Sequence, residues 1–228
     1  MKPIQILDCV ATPDGRELVL YQRGDAYSIE VDRYHLMGSR AHGSEEDLAR
    51  LALGAWGEGV APRVLVGGLG MGFTLRATLG ALDARGHRPR ARVVQAELFP
   101  AVVEWNRRYL GHLARHPLAD PRVRVEEGDV AERFRPGLPP YDVILLDVDN
   151  GPAAMTLEKN HELYTPAGVG RLHRALEPGG VLAVWSADDE PRFLDRLRRG
   201  GFAAESHYVP ARAGGKGGRH VIFVGRKS

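Results

Sequence analysis

The sequence predicts an α/β protein: a Rossmann-like, doubly wound, mostly parallel sheet preceded by a small antiparallel β meander. Three observations carry this. From Arg63 onward, short apolar runs alternate with stretches of helical periodicity, the strand–helix–strand order that covers both faces of a parallel sheet. The first of those runs, Val64-Leu65-Val66, empties into Gly67-Gly68-Leu69-Gly70-Met71-Gly72 and then into a helical pattern. Before Arg63, residues 1–36 read as short strands separated by turn residues.

Taken in order, Ile4-Gln5-Ile6-Leu7, Glu17 to Tyr21 and Tyr27 to Val31 are the meander strands. Pro13-Asp14-Gly15 and Arg23-Gly24-Asp25 supply the reversals between them. So small a sheet is marginal alone, so it is expected to pack on the main domain or on a second subunit, and a homodimer is an expectation. The domain division that follows is residues 1–36 for the meander and 37–228 for the Rossmann-like domain. Ser44-Glu45-Glu46-Asp47 ahead of Leu48, Leu51, Ala52 and Ala55 predicts a helix capped by Ser44, ended by Gly57 to Pro62. Parallel strands are expected at Val64–Val66, Val93–Ala96, Val123–Val125, Val143–Leu146 and Val181–Trp185, the last preceded by a break at Glu177-Pro178-Gly179-Gly180. A helix near Pro191 to Arg199 then leads to a closing strand pair near 203–209 and 220–225, with a low-complexity hairpin from Ala211 to Gly218.

Composition excludes several classes. The chain has 228 residues, of which 43% are hydrophobic, enough for one large domain with a real core. No run approaches the roughly 18 apolar residues of a membrane span and Met1-Lys2-Pro3-Ile4-Gln5 lacks a signal-peptide core, so a cytoplasmic location and no membrane partner are the expectation. The single Cys9 and the absence of a His-Glu-x-x-His pattern argue against a metal site. A formal charge of +2 does not call for nucleic acid, and the basic clusters at Arg85–Arg92, Arg196–Arg199 and Arg212–Arg219 read as solvated faces.

The glycine loop gains meaning from the acids that follow it. Glu97, Asp129 and Asp147 close the next apolar runs, and Asp149 lies two residues beyond the last. In open parallel sheets the ligand crevice lies beyond the carboxyl ends of the strands, so all of these residues would line one crevice. There Glu97 can accept hydrogen bonds from both ribose hydroxyls and Asp129 one from an adenine amine. The dinucleotide fingerprint needs its third glycine at position 73, which is Phe73, and no Gly-Lys-Ser/Thr follows the loop. A nucleoside cofactor that is neither a nicotinamide dinucleotide nor a nucleoside triphosphate is therefore expected.

The Gly68-x-Gly70-x-Gly72 spacing with Gly128-Asp129-Val130 resembles the class I S-adenosylmethionine-dependent transferases. Within them, the chain resembles the spermidine synthase family. The resemblance runs over residues 36–186: the loop at 67–72, Asp120-Pro121-Arg122-Val123, Tyr141 to Asp147 leading to Gly151-Pro152-Ala153, Leu163-Tyr164, and Ala175 to Gly180. It implies a cofactor site at Gly68, Leu69, Gly70, Met71, Gly72, Glu97, Leu98, Gly128, Asp129, Val130 and Asp147. It implies Asp147 and Asp149 as the catalytic acids facing an acceptor amine, and Arg40, His42, Glu45 or Glu46, and Tyr164 as substrate contacts.

Two departures from the family pattern shape the expected reaction. Met71 stands where the family carries an aspartate near the aminopropyl ammonium of decarboxylated S-adenosylmethionine. A neutral side chain there favours intact S-adenosylmethionine, whose carboxylate an aspartate would repel. The segment Asp147-Val148-Asp149-Asn150-Gly151-Pro152 is also shortened, with extra chain before Leu163, so the acceptor pocket is rebuilt. The first expectation is thus a methyltransferase acting on a small amine- or hydroxyl-bearing acceptor. The second is a polyamine aminopropyltransferase using decarboxylated S-adenosylmethionine, and the third a non-catalytic nucleoside-binding protein. Nucleic acid is not expected as the acceptor, because no Asn/Asp-Pro-Pro-aromatic segment follows the fourth strand.

Overall fold

The computed structural model describes residues 2–12, 15–57, 62–86, 90–148, 152, 162–212 and 218–228. Strands β1 (Gln5–Ala11), β2 (Glu17–Arg23), β3 (Ala26–Val31) and β4 (Tyr34–Gly38) form an antiparallel meander in that order. The fourth strand was not among the three expected runs. Its turn is made by Asp32 and Arg33 at φ 46° and 69°, residues that carry no glycine or proline signal. Leu18, Leu20, Ile29 and Val31 point from one face of this sheet into the core of the main domain, so the meander is seated on the larger sheet.

Helix α1 (Gly43–Trp56) follows. Its N-cap is His42, not Ser44: the Glu46 amide donates to the His42 carbonyl at 3.3 Å, so the helix starts two residues early and Ser44 is fully buried in its first turn. Beyond it come β5 (Arg63–Gly67), α2 (Phe73–Ala84), β6 (Arg92–Glu97), α3 (Pro100–Trp105), β7 (Val123–Glu127), β8 (Tyr141–Leu146), α4 (Pro166–Arg174), β9 (Leu176–Ser186), α5 (Pro191–Arg199), β10 (Phe202–Pro210) and β11 (Arg219–Lys227). The sheet order is β10-β11-β9-β8-β5-β6-β7, parallel from β9 to β7 and closed by the antiparallel pair β10 and β11. The Glu177-Pro178-Gly179-Gly180 segment, expected as a break, lies inside β9. Its glycines are absorbed by a register shift against β8 between Tyr141 and Val143.

Both faces of the central strands are buried, which explains their unbroken apolar runs. Val64 and Val66 face the layer that holds α1, α2 and the meander, whereas Leu65, Ile144 and Leu146 face the layer that holds α4 and α5. The sequential order β5-β6-β7 runs outward on one side, while β8 and β9 return on the other, so the strand order reverses at β5. A crevice opens at the carboxyl ends of β5, β6 and β8 for that reason. No described helix is long and apolar enough to cross a membrane.

Candidate active site

A cavity of about 420 Å³ opens at that reversal point. One side of it is backbone and strand-end carboxylate: Gly68, Gly70, Glu97, Gly128, Asp129 and Asp147. The opposite side is supplied by the meander, through Leu18, Ile29, Val31 and Met37 with Arg16 and His35. Glu45 from α1, Trp185 from β9 and His220 from β11 complete the wall.

The glycine loop is held by contacts that tolerate no side chain. A Cβ on Gly68 would lie 2.1 Å from the Asp147 carbonyl oxygen, and its φ is +87°. A Cβ on Gly70 would lie 2.6 Å from Met37 Sδ, because β4 rests directly on the loop. Three more bonds fix the loop: the Gly68 amide donates to the Ala96 carbonyl at 3.0 Å, the Asp147 amide to the Gly67 carbonyl at 2.8 Å, and buried Asn106 donates from Nδ2 to the Gly70 carbonyl at 2.7 Å.

The strand-end acids are partly engaged already. Glu97 Oε2 accepts from the Leu69 amide at 2.8 Å and Oε1 from the Phe99 amide at 2.9 Å. Burial pushes its carboxyl above the ordinary value while those amides pull the other way. The Gly70 and Leu98 amides also bear on this carboxylate and favour its ionised form. Asp129 Oδ1 accepts from the Ala131 amide at 2.8 Å and so caps the short turn Val130–Phe134.

Two further acids in the cavity wall, Glu45 and Asp147, are also raised above their ordinary values. Thr74 donates its hydroxyl to Asp147 Oδ2 at 2.5 Å, and burial raises the Asp147 carboxyl to about 6 against that bond. Burial, and next the Asp147 charge, raise Glu45 from its ordinary 4.5 to about 7. The Asp147 charge acts on Glu45 within one cleft, and carboxyls raised toward neutral pH are the kind of groups acid–base sites carry. Glu45 Oε2 accepts from the Ser44 hydroxyl at 2.7 Å, and Ser44 Oγ lies 2.9 Å from His220 Nδ1. The His220 ring packs edge-on to Trp185 at 4.6 Å between centroids, and burial lowers its pKa.

Several residues expected in the site lie elsewhere. Met71 is 0% exposed and packed in the core, outside the cavity wall, which removes the physical basis for reading cofactor preference from it. Leu69 and Gly72 shape the loop from behind, Gly72 as the left-handed N-cap of α2. Arg40 is 68% exposed and paired with Asp25 at 3.2 Å. His42 stacks on Phe73 with centroids 4.3 Å apart, beside Glu46, which also pairs with Arg76. Tyr164 is buried, its hydroxyl donating to the Val148 carbonyl at 3.3 Å. Leu98 and Val130 line the cavity, and Asp149 lies outside the described residues. The sequence reading missed Thr74, Trp185 and His220, which carry no local motif, and treated Ser44 merely as a cap.

The cavity fits an adenosyl cofactor by its construction. The loop presents bare backbone, Asp129 uses one carboxylate oxygen on its turn, and the Trp185 Nε1–H is buried with no partner among the described residues. Among the described residues there is no cluster of three or more His, Cys, Asp or Glu side chains able to hold a metal.

The fold and this crevice define an α/β protein of the class I methyltransferase-like type. In fold it is, more particularly, similar to the spermidine synthases. It superposes on the spermidine synthase of Thermotoga maritima with a TM-score of 0.74 at 17% identity, covering 98% of this chain and 73% of that one. A spermidine synthase-like structure from Corynebacterium glutamicum, described as a probable one, gives 0.65 at 17%, covering 99% and 81%. The O-methyltransferase TomG of Streptomyces achromogenes gives 0.53 at 19%, covering 81% and 80%. In sequence it is 34% identical over 157 residues to polyamine aminopropyltransferase 2 of Pseudomonas aeruginosa, covering 64% of this chain and 41% of that protein. It is 28% identical over 213 residues to the polyamine aminopropyltransferase of Mycobacterium tuberculosis, covering 89% and 36%. The chain thus spans about two fifths of the length of these curated relatives. No family model matches it.

Proposed function

We propose that this protein is a group transferase that moves an aminopropyl group from decarboxylated S-adenosylmethionine to a small amine acceptor. The observation that carries the reading is the charge of the cavity wall. Among the described residues, Glu45, Glu97, Asp129 and Asp147 line it with one guanidinium, Arg16. A cavity so weighted favours ligands that bring positive charge, namely a sulfonium, an aminopropyl ammonium and an amine acceptor. This reverses the expectation of a methyltransferase, which rested on Met71; that side chain sits in the core. The likeness in sequence to polyamine aminopropyltransferases supports the same direction.

When bound, the sulfonium supplies an activated carbon whose bond to sulfur breaks as the acceptor nitrogen bonds to it. The chain's own residues do the rest. The glycine loop and Glu97 hold the adenosyl end, Asp129 meets the adenine amine, and the meander closes the cavity against water. Alignment of this kind lowers a barrier by up to about 7–11 kcal/mol. Asp147, held by Thr74 and tuned by Glu45, takes the proton that the acceptor nitrogen gives up, a contribution on the order of 10²–10⁴-fold.

One observation favours a second reading, methyl transfer from intact S-adenosylmethionine: Arg16 in the cavity wall offers a cation to a carboxylate. Isothermal titration with both cofactors separates the two. Tighter binding of the decarboxylated form supports aminopropyl transfer, whereas preference for the intact form, lost in Arg16→Ala, supports methyl transfer.

A further inference from the structure

The hydrogen-bonded row behind Glu45 does more than orient a side chain. Ser44 is fully buried and Glu45 is 9% exposed, yet both lie in the first turn of a helix whose other acids, Glu46 and Asp47, turn to arginine partners. A serine buried at that place has two neighbours for its hydroxyl, Glu45 Oε2 at 2.7 Å and His220 Nδ1 at 2.9 Å. His220 comes from β11, 176 positions away in the chain, and is half-buried in the cavity wall beside Trp185. Three groups from two elements distant in the sequence, Glu45, Ser44 and His220, thus form one hydrogen-bonded row in the cavity wall.

We infer that His220, acting through Ser44, is the positioning and proton-exporting partner of the Glu45–Asp147 pair. This rests on the reading of the cavity as a site where an acceptor amine is deprotonated. The balance is simple. The acceptor ammonium gives a proton to the carboxyl pair, and protonated Glu45 donates to Ser44 Oγ. The Ser44 hydroxyl turns and gives its own proton to His220 Nδ1, and the imidazolium releases one from Nε2 to water. No bond other than O–H and N–H is made or broken, and the pair returns to its ionised form. In the resting arrangement the direction is reversed, with His220 Nδ1–H donating to Ser44 and Ser44 to Glu45. The line therefore serves both states by a hydroxyl rotation and a tautomer change.

The groups that bear on this line are few. Glu45 feels Asp147 from the end of β8 and Glu46 from its own helix. His220 feels Asp188 from the end of β9, which opposes the effect of its burial. Across the cavity stand His35 and Arg16 of the meander. Burial lowers the His220 pKa and raises that of Glu45, and the Ser44 hydroxyl stands between the two groups within hydrogen-bond distance of both.

Two measurements test this. In the unliganded protein, the His220 ring resonances are followed by NMR against pH in wild type, Ser44→Ala and Glu45→Gln. The expected result is a His220 titration with a second inflection that tracks the carboxyl pair and vanishes in both variants. In turnover, Ser44→Ala and His220→Asn should lower kcat on the order of tenfold and move the ascending limb of its pH profile, while cofactor KM holds; Ser44→Thr should restore both. A single-step His220 titration unaffected by Ser44→Ala, with an unchanged kcat profile, would overturn the inference. A coupled NMR titration in a protein that transfers no aminopropyl group would support the line and overturn the proposed reaction.

Discussion

The two halves of the cavity are built in different ways. The half proposed to hold the cofactor comes from the strand ends of β5, β6 and β7, whose carboxyl termini a parallel sheet must bring to one edge. Its key groups are backbone amides and carboxylates that also serve the fold: Glu97 ties Leu69 to Phe99, and Asp129 caps a turn. The half proposed to face the acceptor is assembled from α1, the end of β8, β9, β11 and the meander, elements that meet only in the folded chain. Removing a cofactor-half residue therefore strikes structure and binding together. Removing an acceptor-half residue strikes chemistry and leaves the scaffold standing.

The largest effect expected from this contrast is at Asp147. Asp147→Asn keeps the Thr74 hydrogen bond but cannot take a proton, so kcat should fall about 10²–10⁴-fold while cofactor affinity, read by calorimetry, changes little. On the other side, Gly68→Ala forces a Cβ onto the Asp147 carbonyl at a positive φ. It should cost roughly 1–3 kcal/mol from the backbone alone, more with the clash, and abolish cofactor binding; thermal unfolding and calorimetry report both. Met71→Asp sharpens the point about cofactor choice. An unpaired charge in a fully buried core position should leave little folded protein, whereas Met71→Leu should cost under about 1.5 kcal/mol and leave the cofactor preference unchanged.

The smallest effect is on stability against pH. The Glu45 carboxyl titrates higher in the folded chain than in the unfolded one, so the folded state binds more protons between about 4.5 and about 7. Its burial carries no penalty below that window and the full penalty above it, so stability falls as pH rises through the window. Glu45→Gln should raise the melting temperature at pH 8 and leave it nearly unchanged at pH 4. An equal shift at both values would show that Glu45 acts through packing alone.

The same contrast explains what could be read from the chain. The alternation after Arg63, the glycine loop and the acids at strand ends follow local rules, so the sheet and the gathering of Gly68, Glu97, Asp129 and Asp147 around one cavity were legible from residue spacing. The β3–β4 turn was not, because Asp32 and Arg33 adopt left-handed backbone without glycine. Met71 misled because spacing places a residue in a loop but does not say which way it points. His220 and Trp185 were invisible because their role depends on the antiparallel return of β11 beside β9, a pairing that no local pattern encodes. Ser44 and Glu45 carried a capping signature that fitted an ordinary helix start, and only the earlier start at His42 turned both inward.

The central claim is that the acid-lined cavity wall makes this an aminopropyl and not a methyl donor site. Mass spectrometry of products, with purified protein, a simple diamine and each cofactor in turn, tests it most directly. The account predicts methylthioadenosine and an amine heavier by one aminopropyl group, formed from the decarboxylated cofactor. S-adenosylhomocysteine and a methylated amine, formed from the intact cofactor, would contradict it.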